Sequence, residues 1–161
     1  MKTLKDLLEH QIKDIYSAEI QLLDALPKME NAAHDNQLKK AFKTHLAETK
    51  NQIKRLTTIC KELGISPEGE KCKAMEGLIK EAASFLKEDT TNAVKDAGII
   101  AEAQRIEHYE ISSYGTAVRY AKELHLDKIA SLLNDTLDEE YEADETLTDI
   151  AEDRLNEKAK N

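Results

Sequence analysis

The sequence has few of the residues that interrupt helices and few aromatic side chains. Its 161 residues include no tryptophan, two prolines and five glycines, and aromatic residues make up 4% of the chain. A core built from so few aromatic residues has to be mostly aliphatic. Alanine, leucine, glutamate and lysine, which favour helix, are the abundant types. This composition predicts an all-α protein.

Cysteine is also scarce, because Cys60 and Cys72 are the only two in the chain. Their spacing matches neither a CxxC pair nor any other metal or redox motif. We expect two free thiols rather than a disulfide, with Cys60 buried and Cys72 more exposed.

No apolar run approaches the ~20 residues that a membrane helix needs. The first residues, MKTLKDLLEHQIKD, carry charges throughout, which is not typical of a secretory signal. The formal net charge of −9 argues against a nucleic-acid-binding protein. We therefore predict a cytoplasmic protein with neither a nucleic-acid nor a membrane partner, whose acidity would suit cations.

Hydrophobic residues at spacings of three and four predict four long helices. The predicted helices cover residues 3–33, 37–63, 92–124 and 127–155. Thr3 is expected to cap the first helix, and Pro27 is expected to kink it. Residues 64–91 are too long for a tight turn, and a short amphipathic helix at 72–86 lies within them. We predict a single four-helix-bundle domain over residues 1–161, with 64–91 as a crossover between two helical hairpins.

Acidic residues interrupt the apolar face of the predicted helices. Glu107 and Glu110 are three residues apart within 101–114, so their carboxylates share one helix face. The other polar interruptions are Glu19 in the first helix, His45 and Glu48 in the second, and Glu140 and Asp144 in the fourth. Buried carboxylates are costly unless they are paired, hydrogen-bonded or bound to a metal.

The two halves of the chain resemble each other. A shift of 91 residues places Glu19 on Glu110 and Glu48 on Glu139 without a gap, among matched apolar residues. This internal repeat indicates two hairpins related by a pseudo-two-fold axis. The polar residues of the four long helices are then expected to meet near the middle of the bundle.

Carboxylates and imidazole at the centre of a helical bundle are suitable ligands for iron or manganese. We predict a site for two such ions. The candidate metal ligands are Glu19, His45, Glu48, Glu107, Glu110, Glu140 and Asp144. Glu48 and either Glu140 or Glu107 would bridge the ions, and the remaining residues would be terminal ligands. Whether Glu139 or Glu140 supplies the ligand of the fourth helix stays open.

Ordinary ion pairs are the alternative for these acids. The cations that could pair with some of them are Lys13, Lys43, Lys50, Lys54, Arg55 and Arg105. A single histidine such as His45 is more often a satisfied core residue than a ligand. His108 follows Glu107 but points about 100° away on an ideal helix, so we place it at the surface or in a supporting position.

Four segments, LKDLLEHQIKDIYSAEIQLLDALPKM, KCKAMEGLIKEA, RIEHYEISSYGT and TLDEEYEADETL, together resemble the YciE/YciF-like family of bacterial ferritin-like proteins. The resemblance implies a ferritin-like, rubrerythrin-like four-helix bundle that is linked to stress responses and often dimeric. Rubrerythrin-like sites carry Glu-x-x-Glu on the third helix, as Glu107 and Glu110 do here. Glu19 matches the lone glutamate of the first helix.

The chain departs from the ferritin-like pattern at two positions. Asn51 and Ala143 stand three residues after Glu48 and Glu140, where that pattern has histidine. Two functions therefore follow from the sequence. One is a di-iron or di-manganese carboxylate protein that reacts with O₂ or peroxide and forms a homodimer. The other is a non-catalytic stress or interaction protein with a degenerate or empty metal site.

Overall fold

The computed structural model describes residues 1–160. Its helices are α1 Leu4–Ala32, α2 Asn36–Leu63, α3 Lys73–Phe85, α4 Asn92–Glu123 and α5 Asp127–Ile150, followed by a π-helical turn Ala151–Leu155 and a short α6 Asn156–Lys158. Within this described range no strand occurs, which confirms the all-α prediction. The predicted end of the fourth helix near 155 coincides with the end of the π turn, which leads directly into α6.

The long helices form the predicted helical bundle. α1 pairs with α2 and α4 pairs with α5 through short turns, and the two hairpins contact each other through the α1–α4 and α2–α5 pairs. The crossover carries α3, which packs against α4 and α1. In the described part of the chain, no helix has both the length and the apolar character that crossing a membrane requires.

Local capping fixes the helix ends where the sequence predicted them. The Thr3 side chain accepts a hydrogen bond from the Asp6 amide, and the Asp6 carboxylate accepts one from the Thr3 amide, which completes a capping box. Asp35 caps α2, and Gly64 ends it in the left-handed conformation at φ 70°. α1 runs through Pro27 as one continuous helix.

The core consists of two apolar clusters separated by a polar layer. One cluster includes Leu22, Phe42 and Leu147, and the other includes Leu56 and Leu133. Each long helix contributes to both clusters and carries its buried polar residues between those contributions. The buried polar residues of this layer are Glu19, His45, Thr49, Gln52, Glu107, Glu110, Thr136 and Glu140. The polar interruptions of the sequence thus lie at one level of the bundle.

Both cysteines are free, as predicted. Cys60 is buried as expected, but the prediction that Cys72 is more exposed was wrong, because its side chain is 1% exposed. Cys72 caps the N-terminus of α3, because its Sγ accepts a hydrogen bond from the Met75 amide, and the same Sγ lies 3.0 Å from the Tyr109 hydroxyl. Burial raises the pKa of both thiols, which disfavours the reactive thiolate.

Asp96 anchors the α1–α2 turn. This buried α4 carboxylate accepts hydrogen bonds from the His34 amide at 2.7 Å and from the Asp35 amide at 2.9 Å. We expect Asp96→Ala to lower the free energy of unfolding by about 2 kcal/mol, because both amides lose a charged acceptor. Urea denaturation measures the change. Asp24→Ala, at an exposed position in α1, is the control and should change stability by less than about 0.5 kcal/mol.

Candidate metal centre

Four side chains from three helices converge in the polar layer. His45 of α2, Glu107 and Glu110 of α4 and Glu140 of α5 each offer a ligand atom, and these atoms all lie within 4.8 Å of one another. All four side chains are buried, with Glu140 completely inaccessible. Bringing three carboxylates and one imidazole this close creates a group that could hold a metal ion.

Glu19 of α1 lies beside this group and is also completely buried. The hydroxyl of Tyr114 donates a hydrogen bond of 2.5 Å to Glu19 Oε1. This contact fixes the carboxylate on the α1 side and leaves its Oε2 without a hydrogen-bond partner. We call the five residues Glu19, His45, Glu107, Glu110 and Glu140 the central group.

The central group holds most of the unpaired buried polar atoms found in residues 1–160. Seven of those atoms belong to it: Glu19 Oε2, His45 Nδ1 and Nε2, Glu107 Oε2, Glu110 Oε1 and Oε2, and Glu140 Oε2. Buried polar atoms nearly always have partners, because an unmade hydrogen bond costs roughly 1–3 kcal/mol. Unpaired atoms that are all metal-ligand types and face one another therefore fit a cation.

Burial makes these carboxylates hard to ionise. Desolvation raises the pKa of Glu19 to about 7, although the hydrogen bond from Tyr114 works in the opposite direction. It raises the pKa of Glu110 and of Glu140 well above the ordinary value, and the neighbouring carboxylates add to the effect at both. Without a cation, the centre therefore retains protons.

His45 is the one basic group among these acids. Its Nε2 lies 3.5 Å from Glu107 Oε1 and 3.9 Å from Glu140 Oε2, which are ion-pair distances but too long for hydrogen bonds. Burial would lower the pKa of His45, but Glu107, Glu48 and Glu140 outweigh it and raise the pKa to about 10. A protonated imidazole therefore offsets part of the negative charge.

The structure separates Glu139 from Glu140, which the sequence left open. Glu140 points into the polar layer, and its Oε1 accepts a hydrogen bond of 2.7 Å from Gln52 Nε2. Glu139 points outward and pairs with Arg55 through two hydrogen bonds of 2.6 and 2.7 Å. The internal repeat aligns Glu48 with Glu139, whereas the inner-face spacing of the fourth helix selects Glu140 as the candidate ligand, and Glu140 is the residue that enters the centre.

Two of the seven candidate ligands lie outside the central group. Glu48 is 34% exposed, and its Oε2 is 3.6 Å from His45 Nδ1. Asp144 is half-buried at the edge of the layer, where its Oδ1 accepts a hydrogen bond from Gln104. His108 is exposed, as predicted, and its Nε2 lies 3.3 Å from Asp144 Oδ2.

Ordinary ion pairs do not account for the central group. Arg55 pairs with Glu139 and Arg105 pairs with Glu102. Among residues 1–160, no lysine or arginine forms an ion pair with any glutamate of the central group. The alternative of simple charge pairing therefore holds for the periphery but not for the middle of the bundle.

Sequence reasoning missed Gln52, which is completely buried and joins α2 to Glu140. The signal was its position, three residues after Thr49 and four before Leu56 on the inner face of α2. Its apolar neighbour Ile53 is only half-buried, so the polar residue and not the hydrophobic one occupies the inner face here.

Known proteins match this chain along its length. It is 45% identical to Protein YciF of Escherichia coli over 162 residues, covering 100% of this chain and 98% of that protein. The crystal structure of the E. coli stress protein YciF aligns with a TM-score of 0.93 and 44% identity, covering 97% of this chain and 99% of that one.

A second solved structure, YcfI of Rhodopseudomonas palustris, aligns with a TM-score of 0.89 and 44% identity, covering 92% of this chain and 94% of that one. A Xanthomonas campestris protein shares the fold at a TM-score of 0.76 but is only 21% identical, covering 93% of this chain and 92% of that one. The family described as Domain of unknown function (DUF892) matches residues 3–160. The chain therefore belongs to this family, in agreement with the YciE/YciF-like resemblance.

Proposed function

We propose that this protein is a ferritin-like metal-carboxylate protein whose central group holds two iron or manganese ions that react with O₂ or peroxide. The observation that carries the proposal is the set of seven unpaired ligand atoms on five buried side chains from all four long helices. A stress-related role is consistent with the relationship to a protein named as an E. coli stress protein.

Charge balance favours two ions over one. Four buried carboxylates carry four negative charges when they act as ligands, and two divalent cations match them. His45, Glu107, Glu110 and Glu140 offer ligand atoms within 4.8 Å of one another, and Glu19 adds a carboxylate from α1, so these five residues would hold the ions.

The protein's own contribution is to hold its ligands in a water-poor layer. Tyr114 orients Glu19, and Gln52 orients Glu140, so both carboxylates are fixed before any ion binds. The apolar clusters on both sides limit access of water to the centre. When bound, iron or manganese would supply the electrons for reducing O₂ or peroxide.

Metal titration tests the proposal. Protein purified without chelator and titrated with Mn²⁺ under argon should bind two ions per chain, measured by calorimetry and by elemental analysis after gel filtration. His45→Ala should weaken binding by at least about tenfold, because it removes the only imidazole of the group. His108→Ala is the matched control, since His108 is exposed and lies outside the group. A wild-type protein that binds neither Mn²⁺ nor Fe²⁺ would contradict the proposal.

Asn51 and Ala143 favour the second candidate, a non-catalytic stress or interaction protein, because the ferritin-like pattern has histidine at both positions. Peroxide consumption by the iron-loaded protein separates the two functions. Consumption that is lost in His45→Ala and kept in His108→Ala supports the redox function, whereas bound iron without consumption supports the second candidate. The homodimer and the cytoplasmic location stay predictions.

A further inference from the structure

A cleft of about 480 Å³ lies between α2 and α5 and leads to the central group. Phe42 and Leu147 contribute apolar walls, and Glu48 and Glu142 contribute carboxylates. His45 and Glu107, both members of the central group, line the same cleft. The cleft therefore reaches the residues that would bind the metal.

The innermost residues of the cleft are nearly inaccessible yet chemically unsatisfied. His45 is 5% exposed and Glu107 is 2% exposed. Neither ring nitrogen of His45 has a hydrogen-bond partner, and Glu107 Oε2 has none. Buried polar atoms of this kind require a ligand or water to replace the lost hydration. Their presence distinguishes this cleft from an ordinary surface groove.

Small side chains explain why the bundle is open between α2 and α5. Ala41 of α2 and Ala143 of α5 line the cleft, so little side-chain volume fills the space between the two helices. The crossover helix α3 packs against α1 and α4, so it lies on the α1–α4 side of the bundle and not at the α2–α5 cleft. Ala143 also stands three residues after Glu140, where the ferritin-like pattern has histidine. The same departure that removes a ligand opens the cleft.

The carboxylates and the dimensions of the cleft suit a hydrated divalent cation. Glu142 is exposed, Glu48 is 34% exposed, and Glu48 Oε2 is 3.6 Å from His45 Nδ1. Glu142 adds negative charge at the exposed rim, Glu48 lies next to the central group, and Lys40 is the one lysine or arginine of the lining. Six waters occupy about 180 Å³ at their volume in the liquid, so a hydrated ion fits the cleft.

We propose that the α2–α5 cleft is the port through which a hydrated divalent cation reaches the central group, and that Glu48 is the first carboxylate to bind it. This inference rests on the proposed function. It gives a role to Glu48, which is adjacent to His45 but too exposed to belong to the buried group. Ligand exchange at Glu48 replaces bound waters of the ion one at a time before the ion meets the buried residues.

The rate of Mn²⁺ uptake tests the port. Stopped-flow measurements with apoprotein should show that Ala143→Trp, which fills the cleft, slows uptake at least about tenfold while the final stoichiometry stays at the wild-type value. Ala101→Trp is the matched control, because Ala101 is exposed on α4 and does not line the cleft. Its uptake rate should equal that of the wild type.

Glu48→Gln is a second variant that leaves the packing intact. It should slow uptake about threefold or more at low salt, and the difference should shrink at high salt, because the effect is electrostatic.

Unchanged uptake in Ala143→Trp, with native helicity by circular dichroism, would overturn the port. Unchanged uptake in Glu48→Gln would overturn the role of Glu48. A wild-type protein that takes up no cation would overturn the metal function and the port together, whereas normal stoichiometry with unaffected rates would overturn the port alone.

Discussion

Raising the pH from about 5 to about 9 is expected to destabilise the metal-free protein by several kcal/mol. The central group is the reason, because the pKa values of its carboxylates are raised by burial and that of His45 is raised by the surrounding acids. Glu19 alone, with its pKa raised from 4.5 to about 7, accounts for about 3 kcal/mol.

The raised pKa values of the acids and of the histidine change stability with pH in the same direction. A raised pKa in the folded state means that the folded protein binds more protons than the unfolded chain, so stability falls as the pH rises. For Glu19 the loss extends from the unfolded pKa of 4.5 up to about 7. For His45 the stabilisation by the positive charge is fully present below pH 6.5 and is lost as the pH approaches 10.

Urea denaturation of chelator-treated protein at intervals of about one pH unit measures this dependence. Saturation with Mn²⁺ is the control, because the bound ions replace the protons and the decline between about pH 5 and pH 9 should disappear. Stability of the metal-free protein that is constant or rising over the same interval would contradict an acid cluster held by protons.

Replacing Glu110 by glutamine should have opposite effects on the metal-free and metal-loaded protein. At about pH 8 the metal-free variant should be more stable than the wild type by at least about 1 kcal/mol, because burial raises the pKa of Glu110 well above its ordinary value. Both oxygens of this carboxylate lack hydrogen-bond partners, so the wild type gains nothing in return. The amide keeps nearly the same shape without the titrating charge.

In the presence of excess Mn²⁺ the stability difference should reverse, so that Glu110→Gln is less stable than the wild type. A ligand that binds only the folded protein stabilises it by about 4 kcal/mol at a thousand times its Kd, and Glu110→Gln removes part of this gain by weakening the site. Thermal unfolding of both proteins with chelator and with Mn²⁺ measures the two differences. Glu145→Gln, at an exposed position of α5, is the control and should leave both values near those of the wild type. Destabilisation of the variant in both conditions would indicate that Glu110 has only a structural role.

The helices could be predicted from the sequence because their determinants are local. Leucines and isoleucines at spacings of three and four, a capping threonine at Thr3, the cap at Asp35 and the glycine at Gly64 act within a few residues of chain. The acids of the polar layer could be found for the same reason. Glu19 and Glu110 replace apolar residues on the inner face of a helix, and both are buried.

Which acids approach one another depended on features that the sequence does not display. Glu139 and Glu140 are adjacent, and only the packing of α5 against α2 turned Glu140 inward and left Glu139 to Arg55. Asp144 fits the inner face of α5 by spacing, yet it lies at the edge of the layer beside Gln104. A difference of one position rotates a side chain by about 100° around the helix, which exceeds the precision of a periodicity argument.

By itself, the sequence determined a helical bundle with acids on the inner faces of its helices, because helix formation and amphipathic burial are set by neighbours three and four residues apart. The tertiary structure alone decided that His45, Glu107, Glu110 and Glu140 meet within 4.8 Å, that Glu48 lies outside them, and that a cleft opens beside Ala143. These features depend on the rotation and separation of helices that are distant in the chain, and those are fixed by the packing of whole side-chain surfaces.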